Sequence, residues 1–268
     1  MSKTDPQNNG RRVTKYAAEF RKRIRQVQGD VRGILLSTLP GAVLNATADE
    51  AAALAELLRR IKVAVDAGLY ESEAGDSDVA GIWADGWIKL TYDYAQQRAS
   101  ARFATPKVLA TAPDGFDILA MFGPAAAGVS TKSLEALYVS NRIAVRGLAD
   151  DVNRTLAEKL ADAFISREHP FDLAHAISRE IPGIAISRAE KIARTELSRA
   201  YAESTLDAYE EFGVQGVTGK VEFATAGDNL VCFKCASLSG KVLTVAEARG
   251  IIPVHVNCRC DWLPVVLP

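Results

Sequence analysis

Two short clusters near the C-terminus hold the chemistry of this chain: Cys232-Phe-Lys-Cys235 and His255-Val-Asn-Cys258-Arg-Cys260. Together they contain all four cysteines and one of the three histidines. Two thiols separated by two residues are brought to one side by a tight turn and bite a single metal ion. A second pair from another loop completes a tetrahedron. Zinc is the default ion for such a set. Two other chemistries use the same residues. Four thiols make two disulfides in an oxidising compartment, and one thiol beside His255 makes a nucleophile with a base. The chain opens on the polar stretch MSKTDPQNNG with no apolar leader behind it, which favours cytosolic folding and metal over disulfides. A lone nucleophile needs no three further cysteines. About one zinc ion is expected, drawn from Cys232, Cys235, His255, Cys258 and Cys260, of which a tetrahedral ion takes four. Cys258 and Cys260 stand one residue apart, and in an extended segment they face opposite sides. Cys232, Cys235, His255 and Cys258 are the first choice, with Cys260 as the substitute.

Other residues near the clusters invite a functional reading. Arg194-Thr195-Glu196 sits on a predicted helix one turn before Tyr201. It is either a buried ion pair that fixes the helix to the cysteine loop or, more sharply, a catalytic glutamate. No paired acid or base accompanies it, which favours the structural role. Asp228, in a glycine turn before the first cysteine, caps that turn or holds a ligand histidine in its tautomer. His169 and His175 have no partners at metal spacing.

The elements that position these groups follow from periodicity. Val13, Tyr16, Phe20, Ile24, Val27, Val31 and Leu35 recur at steps of three and four and predict an amphipathic helix ended by Pro40-Gly41. Its other face carries Arg11, Arg12, Lys15, Arg21, Lys22, Arg23 and Arg25. Thr47-Ala-Asp-Glu50 is a capping box before a second helix with Leu54, Leu57, Leu58, Ile61, Val65 and Leu69. Residues 71–79 look like an acidic loop. A third helix over roughly 80–103 is expected to turn Trp83, Trp87, Leu90 and Tyr94 to one side. Residues 104–130 look irregular, with a short helix at 116–122. Helical patterning resumes at Lys132 and runs through Leu148, Val152, Leu156, Leu160 and Phe164. A short helix from Phe171 to Ile181 is expected to close at Pro182-Gly183, and a second capping box, Ser187 to Glu190, to open another that stops at Gly213. The texture then changes. Val214, Val217, Val221 and Phe223, set among glycines and threonines, predict short strands, Ala226 to Asn229 a turn, Leu238 to Leu243 a second strand, Thr244 to Glu247 a capped short helix, and Trp262 to Leu267 a last strand limited by Pro264.

The fold class expected is α+β: a mostly α-helical N-terminal part followed by a small α+β module with a Cys/His zinc-type motif. The boundaries are a helical N-terminal region over 1–130, a second helical part over 131–213, and the Cys/His module over 214–268. The first ten residues, polar and carrying Pro6 and Gly10, are expected to be loose. The composition is that of a soluble globular protein, 48% hydrophobic and 24% charged over 268 residues. A formal net charge of −1 excludes a whole-molecule basic field for wrapping nucleic acid. No run is long enough to span a bilayer.

Five pieces in order carry a resemblance: Ala193-Arg194-Thr195-Glu196 on a helix, Thr225-Ala-Gly-Asp228, Cys232-x-x-Cys235, Leu238-Ser-Gly240-Lys-Val, and His255-x-x-Cys258-Arg259-Cys260. This series resembles the phage Mu F-type minor head protein family, also called phage head morphogenesis proteins, over roughly 130–268. The resemblance implies a structural virion component of a tailed phage, a tailed archaeal virus or a prophage. Such proteins are made in the host cytoplasm, sit in few copies inside the head near the portal vertex, and are linked to head assembly and DNA delivery. It implies the portal protein and the major capsid protein as partners, with no enzymatic activity, no small-molecule substrate and no membrane. The basic face of residues 11–25 offers phosphate contacts to packaged DNA, or a match for an acidic portal surface. The alternative is a metal- or cysteine-dependent hydrolase acting during head maturation or infection, which needs an open position on the metal for water.

Overall fold

The computed structural model describes residues 7–38, 48–70, 82–103, 130–166, 170–212 and 219–265. Among these residues five long helices come first: α1 (Gly10–Thr38), α2 (Ala48–Leu69), α3 (Asp85–Phe103), α4 (Thr131–Ser166) and α5 (Pro170–Phe212). A small module follows: β1 (Lys220–Ala224), α6 (Phe233–Ala236), β2 (Val242–Thr244), α7 (Val245–Ala248) and β3 (Asp261–Pro264). The α+β class is the one expected. The described chain forms two compact units that interleave along the sequence. One comprises residues 1–14, 86–140 and 193–268, the other 15–85 and 141–192.

The second unit is helical. The α1 stripe Tyr16, Phe20, Ile24, Val27, Val31 and Leu35 is fully buried, as its spacing predicts. Trp83 stands edge-on to Phe20 with centroids 4.9 Å apart and donates its indole N–H to Leu69 O at 3.0 Å. Arg23, from the basic face, lies over the Trp83 ring at 4.4 Å and donates to Gly68 O at 3.3 Å. Arg21 pairs with Glu190.

The same unit holds a departure from expectation. Pro182-Gly183 does not end a helix: α5 runs unbroken for 43 residues with Pro182 inside it. Proline deletes the bond to the Ser178 carbonyl and crowds that turn, at roughly 3 kcal/mol. The buried positions Leu173, Ile177, Ile181, Ala185 and Ala189 keep one stripe in register across it, and packing of that stripe outweighs the local cost. Ser187 therefore caps nothing, and Glu190 serves Arg21 instead.

In the first unit, α3 buries Ile88, Thr91, Tyr92, Ala95 and Ala99, while Leu90 is 51% exposed. The large aromatics misled the periodicity. Tyr94 lies at the edge of that face, stacked under Arg12 at 3.4 Å. The sheet is antiparallel in the order β2-β1-β3, with Val221 opposite both Leu243 and Pro264. Pro264 is accommodated because β3 is an edge strand. The second strand is shorter than expected, because Ser237 to Gly240 form a turn. Thr244 and Glu247 make both bonds of the capping box that opens α7, at 3.2 and 2.9 Å. Phe223 and Trp262 meet edge-on at 5.3 Å in a core shared with Tyr209, Leu206 and Ala99. The Thr47–Glu50 box, the 71–79 loop, the 116–122 helix, His169, Val214, Val217 and the Phe164 side chain lie outside the described residues.

Candidate metal centre

The first cysteine limb begins in a turn. Gly227 takes φ +69°, and Asp228 Oδ1 accepts the Leu230 N–H at 3.0 Å. Cys232 then caps α6, a single helical turn missed by the sequence reading: its Sγ accepts the Cys235 N–H at 3.4 Å. That turn brings the two sulfurs to one side. The second limb closes at Asn257, a non-glycine residue at φ +66°, where the Cys258 N–H reaches the His255 carbonyl at 3.1 Å.

The donors of Cys232, Cys235 and His255 lie within 4.8 Å of one another, and so do those of Cys235, Cys258 and Cys260. Cys235 belongs to both groups. All four thiols are free. Cys258 and Cys260 do not face apart: the chain turns at Asn257 and the residues that follow form no strand until Asp261, so both thiols reach Cys235. His255 Nε2 lies 3.1 Å from Cys235 Sγ, and Nδ1 donates to the Val256 carbonyl at 2.8 Å. That bond keeps the proton on Nδ1 and leaves the Nε2 lone pair facing the thiols.

The donor set has the electrostatics of a cation site. A hydrogen bond from Cys260 draws the Cys258 thiol down to about 5 against its burial. The Cys235 N–H lowers Cys232. Burial pushes Cys235 up to about 12, and Cys260 rises through its bond to Cys258 and its burial. The thiol acidities are thus pulled apart within each limb, and a bound divalent cation would remove the cost of ionising the buried thiols.

Helix α5 is the scaffold beneath the second limb. Thr195 Oγ1 accepts the Asn257 N–H at 3.2 Å, holding the left-handed residue. The predicted Arg194–Glu196 ion pair does not form, because residues two apart on a helix point away from each other. Glu196 is buried and accepts from Ser140 at 2.8 Å and Arg199 at 3.3 Å. Arg194 is exposed and, with Cys258 and Arg259, lines a cavity of about 200 Å³. Asp228 does cap its turn, and it also takes the Arg259 guanidinium in a fork at 2.7 and 2.8 Å. That fork holds the Asp228 carboxyl below its usual range. It ties the turn before the first cysteines to the residue between the last two. Asp228 does not orient His255. His175 sits 3.3 Å from Arg32, in the other unit.

Three features had little sequence signal. Gln7 and Asn9, expected to be loose, are 2% and 4% exposed and bond to the cysteine loop and α5. Asn9 stands where a helix N-cap belongs, a signal that was there to be read. Arg102 on α3 pairs with the fully buried Asp261 at 2.5 Å. Arg249 gathers Glu203, Asp207 and Glu210 on one wall of a cleft of about 830 Å³. Those carboxylates are engaged in holding the end of α7 to α5, and the Gly250 N–H joins them at 2.8 Å.

Among the described residues, no helix is long and apolar enough to cross a membrane. No curated protein and no solved structure matches the chain at a significant level. A family model does: that described as Phage Mu protein F like protein matches residues 153–263. The matched stretch contains all five donors and the scaffold residues Arg194, Thr195, Glu196 and Asp228. Residues 153–263 are thus similar to the family described as Phage Mu protein F like protein.

Proposed function

We propose that this chain is a non-enzymatic minor head protein that acts in head morphogenesis at the portal vertex, inside the head. Its C-terminal module is a zinc-stapled knob and its N-terminal helices are the contact region. The observation that carries this reading is that the region matched to a head morphogenesis family holds five thiol and imidazole donors converging on Cys235. Zinc bound there by four of Cys232, Cys235, His255, Cys258 and Cys260 cross-links two loops otherwise joined through a three-stranded sheet, a small core and the Asp228–Arg259 fork. Donors in excess of four favour a closed, structural site. A hydrolytic site leaves a position for water.

The portal protein is the principal partner, with the major capsid protein as a second. Packaged DNA is a further contact for α1, where Lys15, Lys22 and Arg25 remain exposed while Arg21 and Arg23 are engaged within the fold. A role in DNA packaging and ejection follows from that position. Cross-link mapping in intact particles tests the reading. Links from residues 13–103 to the portal support it. Links only to tail proteins overturn it, as does a hydrolase activity that disappears in Cys258→Ser while the fold survives.

A further inference from the structure

The N-terminal residues just before α1 reach the metal centre across almost the whole sequence. Gln7 Nε2 donates to the Cys260 carbonyl at 2.7 Å and to Ser198 Oγ at 3.1 Å. Its own side-chain oxygen accepts from Asn9 Nδ2 at 3.2 Å, and its backbone carbonyl accepts from Arg98 Nη1 at 3.1 Å. Asn9 Nδ2 also donates to the Leu197 carbonyl at 3.3 Å, and Arg12 Nε donates to Asn9 Oδ1 at 2.9 Å. The Asn9 carbonyl takes the first α1 bond, from the Val13 N–H at 2.9 Å. Gln7 thus bridges α5 and the last cysteine while itself buried, and α1 begins directly behind it.

The consequence for the donors is geometric. The Cys260 carbonyl belongs to the peptide between the last thiol and the first residue of β3. A buried carbonyl without a donor is costly. No pairing within the sheet begins until Asp261 opposite Ala224, so the Gln7 amide fixes that peptide plane. The plane sets the direction in which the Cys260 side chain leaves the backbone. Thr195 does the same for the other end of the limb by holding Asn257.

We propose that residues 7–9 are a clip that positions the Cys258–Cys260 limb, with Gln7 the positioning residue, so that the start of the chain and its last cysteines form one metal-binding unit. This rests on the metal reading given above. Groups that orient metal ligands from behind typically change affinity 10- to 100-fold when removed.

The test uses the full-length protein. Gln7→Met keeps the length and apolar bulk of the side chain and removes the donor. Gln7→Ala is the second variant, for use if the first misfolds. Asn8→Gly is the control, because Asn8 stands at φ +52°, which glycine keeps without strain, and its side chain bonds to Tyr94 OH at 3.0 Å rather than to the cysteine limb. Zinc affinity is measured by competition with a chromogenic chelator. In parallel, metal-stripped protein is alkylated with iodoacetamide and each cysteine followed by peptide mass spectrometry. Gln7→Met is expected to weaken zinc about 10- to 100-fold and to speed alkylation of Cys258 and Cys260 by about tenfold, the factor carried by one lost buried hydrogen bond. Cys232 should be unchanged. Equal zinc affinity in Gln7→Met and the parent overturns the clip, as does an equal effect in Asn8→Gly. A parent that binds no zinc overturns the metal reading alone. The alkylation rates then judge the clip, and unchanged Cys258 and Cys260 rates would end it.

Discussion

Replacing Arg102 by leucine should destabilise the first unit more than any surface change. Arg102 Nη2 meets Asp261 Oδ2 at 2.5 Å, and Nη1 donates to the Trp262 carbonyl at 2.8 Å and contacts Tyr209 OH at 3.0 Å. Burial works against the Arg102 charge, and the facing Asp261 outweighs it and raises its pKa. Asp261 has no exposed surface, and its remaining partner is the Trp262 N–H at 2.8 Å. Arg102→Leu leaves that carboxylate buried and uncompensated, which costs about 3–5 kcal/mol, a large part of the 5–15 kcal/mol typical of a folded domain. Arg102→Leu with Asp261→Asn removes both charges and should recover much of the loss. Acid provides a second signature. Burial already holds the Asp261 carboxyl above its usual range against the pull of Arg102, and removing the arginine drives it further up. The deficit of Arg102→Leu relative to the parent should then shrink as pH falls through that raised value. Urea denaturation followed by circular dichroism from pH 8 to pH 4, on both variants and the parent, measures each quantity. A loss below about 1 kcal/mol in Arg102→Leu, or no recovery in the double variant, would refute the assignment of this pair as a buried tether.

Five further outcomes are expected. Cys235→Ser removes the donor shared by both groups; hydrogen exchange should rise through 219–265, while helices of the second unit stay protected. Thr244→Ala deletes one half of the α7 capping box and should cost about 1 kcal/mol, read as a lowered Tm. Two glycines should respond with opposite sign. Gly183→Ala, facing open space in α5, should stabilise by roughly 0.5–1 kcal/mol; Gly68→Ala drives its new methyl into Val27 and should destabilise by about 1–3 kcal/mol. The Asp228 carboxyl is held below its usual range by Arg259, so its contribution is complete above the unfolded value of about 4 and is lost as pH falls through the folded one. Amide protection at 226–231 should therefore decline only in acid, and Asp228→Asn should lack that step.

What the sequence discloses here is what local chemistry dictates. The α1 stripe, the Thr244–Glu247 box, the glycine turn at Asp228 and the convergence of the cysteines follow from spacing and side-chain type, and each is present. The failures have physical causes. Pro182 has a strong local preference, and a stripe from Leu173 to Ala189 overrides it. Trp83, Trp87, Leu90 and Tyr94 stand out by size, yet α3 buries Ile88, Thr91, Tyr92, Ala95 and Ala99, a face that mixes large and small residues, because close packing selects shape as well as apolarity. The opposed faces assumed for Cys258 and Cys260 required an extended backbone, and Asn257 turns the chain instead. Gln7 and Arg102 reach partners 253 and 159 residues away, a distance over which no local pattern speaks. The interleaving of the two units is likewise a property of tertiary contacts rather than of any linker composition.

The central claim, a closed zinc staple within a head morphogenesis protein, is tested most directly by zinc K-edge X-ray absorption on protein purified without chelators. The account predicts about one zinc per chain in a four-coordinate shell of cysteine sulfur at about 2.3 Å, with at most one imidazole nitrogen and no water oxygen. A shell that contains a water oxygen, or a protein that carries intact disulfides and no metal, would contradict it.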